Sequence, residues 1–190
     1  MKKFVLGLMI SAGLFGATTV VANADTTGSS TGDVTFTGGT LSMSVDATHL
    51  AFGSNTISSS DATLATSSTP TVTVSDLRGT SAGWTLTVAQ GQQFNTALNG
   101  TGSSLINAAL TVAGTESDSA VTNGSTTLTP GTTSAAGAAG TVASAKNGTG
   151  NGASTVTFSD SKLAVPGKTT KLATGYTTTL TWNLNDTPGN

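Results

Sequence analysis

The amino-acid sequence predicts an all-β domain, a two-sheet antiparallel β-sandwich of Ig-like or jelly-roll-like kind, behind a cleavable leader. Three observations predict it. Thr, Ser, Gly and Ala dominate the chain, and β-branched Thr suits a pleated surface that faces water. Apolar residues recur at every second position in many short runs. Turn signals built on Gly, Asn and Pro separate those runs. With 190 residues the chain has room for one core rather than two.

The leader comes first. Lys2 and Lys3 precede an apolar stretch from Phe4 to Val21, and Ala22-Asn23-Ala24 supplies the small-x-small pattern of a signal-peptidase site. Residues 1–24 are therefore expected to be a signal peptide cut between Ala24 and Asp25. Gly7, Gly13 and Gly16 interrupt the stretch and speak against an uncleaved membrane anchor. Loss of two lysines takes the formal charge from −2 to −4. Residues 25–32 are then expected as a mobile polar lead-in, and residues 33–190 as the domain. The C-terminal TWNLNDTPGN shows no apolar segment or basic tail, so retention at the surface is expected to come from binding by the domain itself.

Each strand expectation rests on alternation. Val34 and Phe36 alternate with Thr35 and Thr37, and Gly38-Gly39 is expected to turn the chain into Leu41, Met43 and Val45. Val72 and Val74, then Trp84, Leu86 and Val88, then Val156 and Phe158 repeat the pattern against Thr. The longest run sets Tyr176, Thr178, Leu180, Trp182 and Leu184 against Thr177, Thr179, Thr181 and Asn183. One apolar and one hydroxyl-rich face per strand is what a sheet with one wet side requires. Asn-Gly at residues 99, 123, 147 and 151 suits type I′ hairpins. The Ala- and Gly-rich stretch from Ser134 to Gly152 reads as a surface loop rather than a helix, because Gly137 and Gly140 interrupt it.

Composition then narrows function. There is no Cys, so no disulfide supports the fold and packing must do so. The single His, His49, has no nucleophile and acid arranged around it in sequence as a triad would need, and reads as a surface or turn residue. Glu116 and Asp118 lie two apart in an expected loop, whereas glycosidase carboxylates sit on separate elements across a cleft. No ligand-spaced His, Cys or Asp cluster suggests a metal, and no cofactor is expected. Gly148-Thr-Gly150-Asn-Gly152 lacks the strand, helix and Lys of a phosphate loop. A small negative charge without a basic stripe speaks against nucleic acid and against bulk attraction to wall polyanions. A non-catalytic binding role is the expectation.

Two segments carry that expectation further. Trp84-Thr85-Leu86 stands in VSDLRGTSAGWTLTV and Trp182-Asn183-Leu184 in YTTTLTWNLNDTP, and the chain has no other Trp. With these flanks the sequence resembles the WxL domain family of surface proteins from low-GC Gram-positive bacteria. Leu50-Ala-Phe52-Gly53 and Val165-Pro166-Gly167 resemble that family's intermediate blocks, and the likeness spans Val34 to Pro188. The resemblance implies a free-standing WxL domain, secreted and retained outside the cell by binding peptidoglycan of the wall. It implies as partners membrane-anchored WxL-interacting proteins and other WxL proteins in surface complexes, with a contribution to adhesion.

The candidate wall- or partner-binding residues are Trp84, Leu86, Trp182, Leu184, Arg78, Asp76 and Tyr176. For both Trp residues core packing competes with an exposed ring that stacks on sugar. Arg78 either pairs with Asp76 or reads a ligand carboxylate.

Overall fold

The structure, a computed structural model, describes residues 27–46, 49–128, 130 and 137–189. The leader and its expected cleavage site at Ala22, Ala24 and Asp25 lie outside the described residues. Contacts divide the chain into two units, 1–35 and 36–190. Of the first, residues 27–35 are exposed and carry no regular structure. Among the described residues the second holds every strand, and no helix occurs.

The strands are β1 (Leu41–Val45), β2 (Ala62–Ala65), β3 (Thr71–Asp76), β4 (Trp84–Gln90), β5 (Ala109–Ala113), β6 (Val121–Asn123), β7 (Ser125–Leu128), β8 (Gly140–Ala145), β9 (Gly152–Thr157), β10 (Lys162–Val165) and β11 (Leu180–Asn185). All pairings are antiparallel, and the arrangement is sandwich-like, as the alternation predicts. Hydrogen bonds distribute the strands over three sheets rather than two, in the orders β1-β3-β9, β2-β10-β5-β7 and β11-β4-β8-β6. β6 and β7 are separated only by Gly124 yet belong to different sheets, so the chain changes layer at that residue.

Burial follows pattern most cleanly in β3 and β4. Val72, Val74 and Asp76 are buried on one, and Trp84, Leu86, Val88 and Gln90 on the other, while the intervening residues are half-exposed. Leu110 and Val112 of β5, Val142 of β8, Val156 of β9, Phe158 and Leu163 complete a core drawn from all three sheets. Trp84 is the largest buried side chain. By area its burial contributes up to about 5 kcal/mol, a figure comparable with the whole stability of a small domain.

Four expectations are corrected. Val34 to Thr37 form no strand, and Gly38-Gly39 make no hairpin turn. Instead Gly39 N–H donates to the Leu77 carbonyl and Leu77 N–H to Thr40, which carries β1's pairing past the end of β3. The Ala-rich stretch contains β8, packed between β4 and β6. A bulge at Val142 places Leu86 opposite Ala143 but Thr87 opposite Thr141. The bulge breaks the alternation and leaves four consecutive residues buried. The long C-terminal run is a strand only from Leu180, with Thr177 bridged singly to Asn95. None of the four Asn-Gly asparagines has positive φ, so none builds a type I′ turn.

Replacing Trp84 by Ala is expected to cost about 3–5 kcal/mol in urea unfolding. Trp182→Ala is expected to cost less than half as much, because that indole is only half-buried.

Candidate functional site

The two W-x-L segments lie on neighbouring strands. β11 pairs with β4 so that Leu184 faces Leu86 and Trp182 faces Val88. All four side chains point to the inner face, and Thr181, Asn183 and Asn185 are exposed on the other. β4 is central and β11 is an edge strand. That position decides the two Trp environments. Trp84 is buried, and its indole N–H donates to the Gly150 carbonyl at 3.0 Å. Trp182 stays half-buried, its ring 4.7 Å from Phe158.

The residues before Trp84 form a clamp. The Asp76 carboxylate is buried and accepts from Arg78 Nε at 2.9 Å and Nη2 at 2.7 Å. Arg78 Nη2 also donates to the Gly83 carbonyl at 2.7 Å. The fork thus fastens the end of β3 to the residue just before β4. Gly83 has φ +72°, and a Cβ there would stand 2.5 Å from the Ala145 carbonyl oxygen, so only Gly serves. The Arg78 guanidinium holds the Asp76 carboxyl below its ordinary range, and Asp76, with help from Asp186, raises that of Arg78.

A cleft of about 1560 Å³ opens beside Trp182. Phe52, Leu64, Phe94, Leu163, Tyr176 and Trp182 give it a largely apolar wall. Phe52 and Phe94 meet edge to face at 6.1 Å. Tyr176 is half-buried, and its hydroxyl accepts from Leu172 N–H at 2.8 Å. One wall is braced by Lys171, whose ammonium donates to the carbonyls of Ser58, Pro166, Gly167 and Thr169 at 3.0–3.2 Å. A second, smaller groove of about 530 Å³ runs from Arg78 between β1 and β11, with Leu184 in its lining.

The sequence-derived candidates therefore divide. Trp84, Leu86 and Asp76 are buried and support the site from beneath. Trp182 and Tyr176 line the cleft, and Leu184 and Arg78 the smaller groove. Phe94 and Lys171 were not singled out by sequence, since neither stands in a distinctive local pattern. Phe52 falls in the block Leu50-Ala-Phe52-Gly53 and carried a signal. His49 is exposed. Glu116 and Asp118 cap a turn, with Glu116 accepting from Asp118 N–H and Asp118 from Ala120 N–H. Among the described residues no group of His, Cys, Asp or Glu is arranged to hold a metal, and no helix is long and apolar enough to cross a membrane.

Fold and site define a β-sandwich domain with an aromatic-walled cleft beside the edge strand that carries its second W-x-L segment. A family model described as WxL domain surface cell wall-binding matches residues 17–188. The chain belongs to that family. It is a cell-surface, wall-binding family and not a known enzyme family. No curated protein and no solved structure matches the chain.

Because pairing lowers the Asp76 pKa, its contribution is complete above the ordinary value of 3.8 and disappears as pH falls through the lower folded value. Unfolding followed from pH 5 downward should show wild-type stability falling below about pH 4. Asp76→Asn should start less stable and show a shallower acid loss. An unchanged acid slope would remove the clamp from the account.

Proposed function

We propose that this chain is secreted by cleavage after Ala24, and that residues 33–190 attach it non-covalently to the outer wall by binding peptidoglycan without turnover. The observation that carries the reading is the half-exposed aromatic pair Trp182 and Tyr176 in a large cleft on a wall-binding domain. Aromatic faces stack on the apolar faces of sugar rings, and such contact needs an open ring. Asn55, Thr174 and Thr177 line the same cleft and supply amide and hydroxyl groups for glycan hydroxyls and acetamido groups. Shape, stacking and neutral hydrogen bonds carry this binding, since the cleaved chain's formal charge is only −4 and its one Arg is held by Asp76.

Co-sedimentation with purified, protein-free cell walls tests it. The wild-type chain should pellet with the walls. Pelleting should change little between about 0.1 M and 1 M salt, across which the Debye length shrinks from about 10 Å to 3 Å. Trp182→Ala and Tyr176→Ala, shown folded by circular dichroism, should each weaken it at least about tenfold, the effect of losing one stacking contact of about 1.4 kcal/mol. Wild-type protein that stays in the supernatant would replace direct binding by retention through a membrane-anchored WxL-interacting protein.

A further inference from the structure

We infer, resting on the reading of Tyr176 as a wall-stacking ring, that Lys171 is the positioning residue of the cleft and acts on the glycan through Tyr176. Among the described residues that line the cleft, Lys171 is the one Lys or Arg. A cation in such a place would suit a ligand carboxylate, but this one is already engaged. A Lys ammonium has three N–H donors. Those of Lys171 are met by four backbone carbonyls, Ser58 at 3.2 Å, Pro166 at 3.0 Å, Gly167 at 3.2 Å and Thr169 at 3.1 Å. No carboxylate pairs with it, since the one ion pair among the described residues is Asp76–Arg78. Its charge is spent on the shape of the cleft.

The four carbonyls belong to two loops. Pro166, Gly167 and Thr169 lie in the loop that follows β10, and Ser58 in the loop that precedes β2. The two loops run in contact. Gly167 N–H donates to the Asp61 carboxylate at 2.7 Å, and a Cβ on Gly167 would collide with the Ser59 carbonyl oxygen. The Thr169 hydroxyl donates to the Ile106 carbonyl at 2.7 Å. These bonds hold the chain as far as Thr169, and Lys171 is the next tie. Residues 172–175 are exposed, and the bond from Thr174 N–H to the Leu172 carbonyl stays within that stretch. The chain is caught again at Thr177, which exchanges both backbone hydrogen bonds with Asn95.

Tyr176 stands between these two anchors. Its backbone adjoins Thr177, and its hydroxyl accepts from Leu172 N–H at 2.8 Å. That N–H belongs to the same planar peptide unit as the Lys171 carbonyl. An ammonium that fixes Lys171 therefore fixes the donor that holds the phenol. Without it, residues 172–175 are tied back only through the phenol itself, and the ring moves with them. A ring that has to be ordered at each encounter loses affinity to the cost of ordering, whereas a ring held in advance does not.

Tyr176 is the single Tyr of the chain, which has two Trp residues, so fluorine NMR reads the cleft and the core separately. The full chain is expressed with its own leader in a Gram-positive host grown on fluorotyrosine or fluorotryptophan. Lys171→Met keeps the apolar stem and removes the ammonium. In that variant the Tyr176 resonance should move to its position in the urea-unfolded protein. The Trp84 resonance, assigned as the one that survives in Trp182→Phe, should stay in place. Against purified walls, Lys171→Met and Tyr176→Phe should each weaken pelleting at least about threefold. The double variant should lose no more than the weaker single one, because both substitutions break one path. An unmoved Tyr176 resonance overturns the inference, as does a Trp84 resonance that moves with it, or additive losses in the double variant. Wild-type protein that does not pellet overturns wall binding alone, and the two resonances still decide whether Lys171 places Tyr176.

Discussion

The antiparallel pairing of β4 with β11 is the constraint on which the rest of the structure depends. It joins two segments nearly a hundred residues apart and sets Leu86 directly against Leu184. With no disulfide and few charges, the fold rests on packed apolar faces. Trp84 is the largest piece of that packing. Its surroundings are tightly specified: Gly150 accepts its indole N–H, Gly83 admits the neighbouring β8 backbone, and Arg78 ties Asp76 to Gly83. The motif residues around Trp84 are thus parts of one structural joint. A Gly150 side chain would meet the indole nitrogen at 2.7 Å, so this joint tolerates little change.

The same pairing produces the functional asymmetry. β4 has neighbours on both sides and β11 on one, so an identical W-x-L triplet is sealed on the first and open on the second. Trp182 can then touch Phe158 and still line the cleft. Lys171 braces one wall of that cleft by four backbone carbonyls. One motif copy builds the domain and the other equips its edge.

The all-β sandwich was legible because alternation in β3, β4 and the last part of β11 is strong enough to mark an inner and an outer face. The family was legible from the flanks of the two Trp residues. β8 was not, because Ala and Ser hardly change hydrophobicity along a strand and the bulge at Val142 interrupts its period. Val34 and Phe36 misled for the opposite reason: their pattern is that of a strand, but pattern cannot supply a neighbour within the chain. Which Trp is buried was also beyond local sequence, since central and edge positions depend on long-range order. The cleft, assembled from Phe52, Phe94, Tyr176 and Trp182, had no contiguous signature.

A cross-link at the Leu86–Leu184 position tests the central pairing most directly. The chain has no Cys of its own, and directly opposed residues of a non-hydrogen-bonded antiparallel pair lie about 4.5 Å apart, within disulfide reach. In the double variant Leu86→Cys/Leu184→Cys the account predicts a disulfide on mild oxidation of the folded protein. The off-register variant Leu86→Cys/Leu180→Cys should stay reduced under the same conditions. Preferential closure of the off-register pair, or no closure of the opposed one, would contradict the account.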